Sequence, residues 1–459
     1  MSMEMPLALA LGARIQAIDF AALPDALVGW AKIGILDTVG VTLAGAPEPC
    51  ARIAARVLGA TPGPALIFGT RLGAAPPDAA LINGTAAHAL DFDDCSNTLG
   101  GHPSAPMLPA LFALAEGRPV SGADLIAAYV AGFETETRIA RAVNFHHYEK
   151  GWHPTATLGT FGAAAASAHL LRLTPAQTAT ALAIAASFAS GIKANFGTMT
   201  KPLHVGHCAR NGLTAALLAA EGFTASHDVF DHAQGFFLVF NGAGNFDPDA
   251  VLRDWAAPFD ILHPGLAIKQ YPCCGSTHPA IDAALALRAA HGLTAGQIEH
   301  VTSWTHPRRL AHTNRPQPGS ALDAKFSVQY CLARALAEGR VVLSHFMGDA
   351  YADPAIHALM QRIEAAPHPA MAMADTAHFG AEVRVLTKDG RSLAQQVDRP
   401  LGRTAENPLP AAILEAKFLD CAGRSLRPDA AVGVLDLLRR LDTLADVAVL
   451  RDALAEGVA

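Results

Sequence analysis

The sequence predicts a mostly α-helical protein, with a large all-helical domain formed from both chain ends and a smaller α/β lid domain inserted between them. Three observations predict this arrangement. Helical periodicity dominates residues 22–222, strand and hairpin signals are confined to residues 298–397, and helical patterning returns after Pro400. We therefore expect a helical domain of residues 1–267 and 404–459, and an α/β lid of residues 268–403.

The composition is typical of closely packed, buried helices. The chain is too long for one compact core, which predicts two domains. Its 459 residues are 51% hydrophobic and only 16% charged, with a formal net charge of -7. No long run of lysine and arginine occurs, so we expect no nucleic-acid partner. No apolar run reaches the ~18 residues of a membrane span. The N-terminal segment carries Glu4 in place of a basic leader, which predicts a cytoplasmic protein.

Capping signals place the helices of the first half of the chain. Ser121 begins a Ser-Gly-Ala-Asp capping box, which predicts a helix from there to about Val143. Thr174 begins a second box, with Pro175 at the first helical position of the following helix.

The second half of the chain contains the strand signals. Residues 298–304 are rich in β-branched residues, and residues 381–387 and 392–397 flank an Asp-Gly turn, which predicts a strand and a β-hairpin. Helices are predicted again over residues 408–421 and 430–454. We find no repeat of fixed period, which disfavours a solenoid.

The seven cysteines are odd in number and form no CxxC pair. This disfavours a disulfide framework, a zinc ribbon and an iron–sulfur cluster. Cys273 and Cys274 are adjacent, in a segment with Lys269 at the predicted domain boundary, where clefts often bind small molecules. We interpret this pair as buried thiols rather than a vicinal disulfide or a thiolate pair.

Ionisable residues concentrate first in HALDFDD, residues 88–94, which GGHPS follows at residues 100–104. Three aspartates within four positions repel one another, so a purely structural role requires a solvated helix end. A second interpretation is a magnesium site of the aspartate-rich kind, but we find no second acidic cluster to complete it. A third is a carboxylate that orients a histidine and raises its basicity.

Two further segments combine histidine with small or basic residues. His153 precedes the small-residue helix of residues 159–168, where helix N-termini attract anions, although a capping or packed histidine fits the same pattern. Lys193, Lys201 and His204 lie among glycine and threonine, a composition suited to binding carboxylates. A single lysine there would more often be a surface residue.

These segments resemble, in the same order, the motifs of the MmgE/PrpD family, which includes 2-methylcitrate dehydratase, cis-aconitate decarboxylase and iminodisuccinate epimerase. The matching phrases are HALDFDD with GGHPS, GWHPTATLGTFGAAAA, GTMTKPLHVGHCARNG, KQYPCCGSTHPAIDA and KFSVQY. The resemblance covers residues from about 20 to about 425. It implies a helical domain with an α/β lid, a homodimer, and chemistry that uses no metal and no organic cofactor.

The resemblance implies a site in the helical domain that contains Asp91, His102, His153 and Lys201. We assign His102 and His153 as the acid/base pair, with Asp91 orienting one of them. Lys201, helped by Lys269 from the lid, would bind a substrate carboxylate and offset developing charge.

Three more positions follow from the resemblance. Tyr330 of KFSVQY would protonate a leaving hydroxyl, and Cys95 and Cys274 would contact the substrate. Cys95 stands where the decarboxylase has a threonine, and Cys274 stands where it has a histidine. These two departures disfavour cis-aconitate decarboxylation.

The predicted function is a cofactor-independent lyase that moves a proton next to a carboxylate of a small di- or tricarboxylic acid, with 2-methylcitrate dehydratase-like dehydration favoured. Cis-aconitate decarboxylase-like decarboxylation and iminodisuccinate-type epimerisation are the alternatives, since one site can lose hydroxide, lose carbon dioxide or reprotonate the opposite face. Outside enzymes, a non-catalytic binding member of the fold is the alternative. The presence of His102, His153 and Lys201 argues against it.

Overall fold

The computed structural model describes residues 5–59, 62–372, 379–404 and 406–459. The chain divides into two compact units, Met1–Ile268 with Ala411–Ala459, and Lys269–Pro410. Helices predominate and strands are few, so the prediction of a mostly α protein is confirmed. The predicted arrangement, in which a lid accompanies a helical domain, stays a prediction. Glu4, on which part of the cytoplasmic expectation rests, lies outside the described residues.

The N-terminal part of the first unit is built from helices with two short strand pairs. In chain order it contains α1 (Leu7–Gln16), α2 (Asp25–Gly45), α3 (Pro49–Leu58), β1 (Pro62–Leu66), β2 (Gly73–Ala74), α4 (Pro76–His88), β3 (Cys95–Ser96), α5 (Ser104–Ala115), α6 (Gly122–Val143), α7 (His146–Lys150), α8 (Pro154–Thr157), α9 (Gly159–Leu170), α10 (Pro175–Phe188), α11 (Thr200–Ala220), α12 (Phe236–Asn241), α13 (Asp249–Leu252) and β4 (Leu266–Ala267). The hydroxyls of Ser121 and Thr174 each accept a backbone N–H in a capping box. The predicted starts of α6 and α10 are thereby confirmed.

Helices α4 and α11 cross where two glycines face each other. A Cβ atom on Gly84 would lie 2.8 Å from the Cα of Gly206, and one on Gly206 would lie 2.1 Å from the carbonyl oxygen of Leu81. Only glycine permits so close an approach of the two backbones. The crossing brings the C-terminal end of α4, at His88, close to the first turns of α11, at Lys201.

Helix α2 is long and apolar enough, by length and composition, to cross a membrane. About two thirds of its most apolar window, 67%, is buried inside the protein. A buried core helix of a globular protein meets the same criteria of length and composition. Helix α2 packs against α4, α5 and α6 within the first unit. This burial indicates that α2 serves as a core helix.

The second unit contains a four-stranded sheet with helices packed on it. In chain order it contains α14 (His278–His291), β5 (Ile298–Thr305), α15 (Pro307–Thr313), α16 (Ala321–Ala324), α17 (Val328–Glu338), α18 (Pro354–Met360), β6 (Ile363–Pro367), β7 (Ala381–Thr387) and β8 (Ser392–Val397). The strand order is β6-β5-β7-β8, with β5 parallel to β6 and antiparallel to β7. The predicted strand and hairpin are confirmed as β5, β7 and β8. The sequence did not predict β6.

The C-terminal part of the first unit contains α19 (Ala411–Ala422), α20 (Pro428–Arg439) and α21 (Ala448–Glu456). The prediction of one helix over residues 430–454 is wrong, because a 3-10 turn separates α20 from α21. Tertiary packing explains the break. Leu441 is fully buried, and the Leu444 carbonyl accepts a hydrogen bond from the backbone N–H of Gly122 at the start of α6.

Candidate active site

The loop after α4 directs its three aspartates to three different partners. Asp91 adopts the left-handed backbone region, with a φ of 53°, which aspartate tolerates better than most non-glycine residues. Asp94 is fully buried and accepts a hydrogen bond from the Ser104 hydroxyl. Burial, with Asp37 nearby, holds the pKa of Asp94 well above its usual range, so this carboxyl is neutral. The repulsion expected among three aspartates is thus relieved within the fold.

Asp93 lies between two imidazoles. Its Oδ2 is 2.8 Å from Nδ1 of His88 and 3.2 Å from Nδ1 of His102. Burial opposes ionisation, but His102 and His88 hold the pKa of Asp93 well below its usual range. Because an ionised carboxylate can only accept hydrogen bonds, each imidazole presents an Nδ1–H to it. Asp93 therefore orients His102, a role predicted from the sequence for Asp91.

Asp91 makes its shorter contact with Lys201. Its Oδ1 lies 2.6 Å from Nζ of Lys201 and 3.7 Å from Nε2 of His102. Asp91 is 8% exposed, so the ion pair is largely shielded from water. The carboxylate holds the Lys201 ammonium and the His102 imidazole side by side, which concentrates positive charge in one place.

His102 is held in its charged form by the acids around it. Burial lowers its pKa, but the Asp93 carboxylate and then Cys95 raise the pKa of His102 to about 10. The Cys95 sulfur lies 3.8 Å from Nδ1 of His102, so this predicted contact residue adjoins the acid/base group. At neutral pH His102 is an imidazolium.

The raised pKa of His102 makes its contribution to stability depend on pH. The folded protein binds this proton more tightly than the unfolded chain, so the contribution is fully present below the unfolded pKa of about 6.5. It is lost as the pH rises through the folded pKa of about 10. We expect the difference in thermal unfolding midpoint between the parent and His102→Gln to shrink over that interval.

A second buried histidine is the control for this pH series. Burial lowers the pKa of His147 to about 4, so the contribution of His147 to stability changes with pH in the opposite direction to that of His102. The difference between the parent and His147→Gln should therefore grow as the pH rises from about 4 to about 6.5, the unfolded value. If the difference in unfolding midpoint between the parent and His102→Gln stayed constant up to pH 10, the assignment of His102 as an imidazolium would be contradicted.

His153 precedes α8 and is 3% exposed. Among the described residues, its side chain makes no capping hydrogen bond to the helix, which disfavours the capping interpretation. Its Nδ1 lies 3.3 Å from Nδ1 of His204, and its ring centroid lies 5.7 Å from that of His88. Burial, with His88 and Lys201 nearby, holds the pKa of His153 well below its usual range. His153 is therefore neutral.

Together these side chains form what we call the histidine cluster: His88, Asp91, Asp93, His102, His153, Lys201 and His204. Within the histidine cluster, the surroundings of His102 raise its pKa and the surroundings of His153 lower its pKa. Such a separation of pKa values is typical of acid/base pairs. The cationic His102 and Lys201 can bind carboxylates and offset developing negative charge. The neutral His153 can exchange a proton with a bound acid.

The remaining predicted site residues lie in the second unit. Lys269 is 6% exposed, and the backbone N–H of Cys274 donates to the Lys325 carbonyl over 2.9 Å. Neither Cys273 nor Cys274 forms a disulfide. Cys273 is fully buried but Cys274 is only partly buried, so the buried-thiol interpretation holds for Cys273 alone. Tyr330 is fully buried, where its hydroxyl donates to the His345 carbonyl and accepts from Arg334 Nε. This geometry favours a structural role for Tyr330 over the predicted proton donor.

Two protein-family models match most of the chain. The MmgE/PrpD N-terminal domain matches residues 10–249, and the MmgE/PrpD C-terminal domain matches residues 271–442. The chain belongs to the MmgE/PrpD family. Cis-aconitate decarboxylase of Homo sapiens is 30% identical over 449 residues, covering 95% of this chain and 92% of its own length. The proteins of that name from Mus musculus (30% identity, 80% of this chain and 75% of its own length) and Aspergillus terreus (29%, 80% and 78%) are also similar.

Membership of the MmgE/PrpD family confirms two predictions, the resemblance itself and the enzyme class. The family members named cis-aconitate decarboxylase are lyases and act on small carboxylic acids. The N-terminal family model covers the whole histidine cluster, and the C-terminal model covers Cys274 and Tyr330. Lys269 falls between the two matched segments.

Three residues of the cluster could offer ligands to a metal ion. Atoms of His88, Asp91 and His102 all lie within 4.8 Å of one another. However, the Lys201 ammonium lies 2.6 Å from the Asp91 carboxylate, and His102 carries a proton. A divalent cation would have to displace both positive charges. This donor set therefore suits an anion better than a metal ion.

Sequence reasoning missed three members of the cluster as site residues. Asp93 and His88 belong to the same HALDFDD motif as Asp91, but their sequence spacing does not indicate which carboxylate faces which imidazole. His204 was noted in the KPLHVGH segment as part of a composition suited to binding carboxylates, but it was not predicted as a site residue. The available signal was that all three residues lie in motifs that also contain a predicted site residue.

Proposed function

We propose that this member of the MmgE/PrpD family is a decarboxylase of a small tricarboxylic acid of the cis-aconitate type, acting at the histidine cluster. The observation that carries the proposal is the neutral His153 in one buried group with the cationic His102 and Lys201. The names of the relatives, at up to 30% identity, favour this alternative over the 2-methylcitrate dehydratase-like reaction that the sequence placed first.

The proposed reaction places negative charge next to a cationic pair. When a carboxylate leaves as carbon dioxide, its bonding electron pair stays on the substrate, where the remaining carboxylates already repel it. His102 and Lys201 bind those carboxylates and lower the energy of the charged transition state. His153 then delivers a proton to carbon, so that a C–H bond forms as an N–H bond breaks. The bound polyanion itself favours the protonated form of His153.

Dehydration of a related hydroxy acid is the second candidate, and Cys95 is the observation that favours it. Its sulfur lies 3.8 Å from His102, at a position where the resemblance places a threonine in the decarboxylase. Thiol and hydroxyl differ in size and in hydrogen-bond strength, so the pocket beside His102 would accept a different substrate group.

A parallel substrate screen tests the proposal. The protein is incubated with cis-aconitate, 2-methylcitrate, citrate and iminodisuccinate, and carbon dioxide, alkene absorbance and stereochemistry are measured for each. We expect carbon dioxide from cis-aconitate. Alkene formation from 2-methylcitrate without carbon dioxide from any substrate would replace decarboxylation by dehydration. The cytoplasmic location and the homodimer are proposals that fractionation and light scattering test separately.

Chelation should leave this activity unchanged. The proton on His102 and the Lys201–Asp91 ion pair occupy the atoms that a divalent cation would need. We therefore expect equal turnover before and after exhaustive treatment with EDTA and 1,10-phenanthroline. Loss of activity that added Mg²⁺ or Zn²⁺ restores would make the aspartate and histidines metal ligands and overturn the anion-binding assignment.

A further inference from the structure

His204 links the buried His153 to the surface of the first unit. The two Nδ1 atoms lie 3.3 Å apart, and the ring centroids lie 5.5 Å apart. His153 is 3% exposed, whereas His204 is only partly buried. In such a contact one nitrogen donates and the other accepts, so the two imidazoles share a proton. The pair forms a path by which a proton can move between solvent and the cluster.

The backbone at Gly191 holds the two histidines together. Its carbonyl accepts the backbone N–H of His153 over 3.0 Å. Gly191 has a φ of 116°, and a Cβ there would lie 3.3 Å from Cγ of the His204 ring. Because residue 191 is a glycine, its backbone can pack against the His204 imidazole and at the same time hydrogen-bond to the backbone of His153.

The charges around His204 keep its ring able to pass a proton on. Burial, with His207 and Lys201 on the same helix, lowers the pKa of His204. Across the contact it faces the neutral His153, behind which lie His88 and His102. A ring that is mostly neutral at neutral pH takes up a proton transiently and does not retain it.

We propose that His204 is a proton relay that resupplies His153 from solvent in each catalytic cycle. The inference rests on the proposed decarboxylation, because that reaction consumes one proton per turnover. Dehydration and epimerisation return the proton that they remove, and need no such supply.

The proton balance defines each step of the relay. Carbon dioxide leaves, the C–C electron pair remains on the substrate carbon, and that carbon takes the proton of His153. His153 then takes the proton that it shares with His204. His204 takes another from a hydronium ion or from a buffer acid, and the site returns to its starting charge.

Chemical rescue tests the relay. Release of carbon dioxide from saturating cis-aconitate is measured in dilute buffer for the parent, His204→Ala, His204→Gln and His207→Ala. His207 is the matched control, since it lies on the same helix, is exposed, and has its Nδ1 3.2 Å from the Asn211 amide nitrogen. We expect kcat to fall about 10-fold or more in both His204 variants with little change in KM, and to stay at the parent value in His207→Ala.

Added imidazole distinguishes a relay from a structural role. It should restore turnover of His204→Ala, where it can enter the space of the missing ring, and should not accelerate the parent. A folded His204→Ala that works at the parent rate, or whose lost turnover imidazole does not restore, overturns the relay. If the alanine variant does not fold, a parent-like rate in the size-matched His204→Gln also overturns it. A parent that releases no carbon dioxide overturns the proposed function and the relay together.

Discussion

Turnover of His153→Gln is expected to fall about 10²–10⁴-fold, because glutamine fills the place of the imidazole but cannot exchange a proton with the substrate. The thermal unfolding midpoint should change little, since within the described part of the chain the His153 side chain makes no hydrogen bond that caps α8. The measurement is kcat for carbon dioxide release at saturating cis-aconitate, with a melting curve of the same preparation.

His147 is the matched control for this substitution. It is also a fully buried histidine with a lowered pKa, but both of its ring nitrogens are engaged, with the Asn241 amide and the Thr157 hydroxyl. His147→Gln should therefore lower stability, by about 1–3 kcal/mol for each polar group left unsatisfied, and leave turnover near the parent value.

Proton exchange offers a readout of His153 that does not depend on product formation. The carbon-bound protons of a polycarboxylate are followed by NMR in deuterated water, with parent and variant protein. We expect exchange in the parent and its loss in His153→Gln. A variant that exchanges as fast as the parent while melting several degrees lower would make His153 a structural residue.

Lys417→Met is expected to lower the free energy of unfolding by about 3–5 kcal/mol, because it removes one partner of a buried ion pair. Nζ of Lys417 lies 2.5 Å from Oδ1 of Asp37, and the two side chains are 4% and 0% exposed. Lys417 also donates a hydrogen bond of 3.0 Å to the carbonyl of Phe92, which lies between Asp91 and Asp93 in the sequence. Chemical denaturation of parent and variant measures the loss.

The double variant Asp37→Leu with Lys417→Met separates the buried charge from the packing. It should recover much of the stability, because no uncompensated charge remains in the core. As an exposed control, Arg172→Met breaks the ion pair with Asp124, whose side chains are 81% and 40% exposed, and should cost at most about 1 kcal/mol. Equal losses in Lys417→Met and Arg172→Met would show that burial does not set the strength of the Lys417 pair.

The sequence by itself determined the local structure and the family. The capping boxes at Ser121 and Thr174 and the Asp-Gly turn depend on residues only a few positions apart, so their signals are complete in the sequence. The ordered motifs identified the MmgE/PrpD family, which both family models confirm. They also indicated Asp91, His102, His153 and Lys201 as site residues, which the fold gathers into one cluster.

Only the tertiary structure decided which carboxylate serves which cation. Asp91 and Asp93 are two positions apart and equivalent by any local rule, yet the left-handed backbone at Asp91 turns one toward Lys201 and the other toward His102. Lys201 is 110 positions away in the chain and reaches Asp91 because α11 crosses α4 at paired glycines. The contact of His153 with His204 arises in the same way. Hydrogen-bond partners and pKa values depend on distances through space, and those distances are set by loop reversals and helix crossings that no short segment contains.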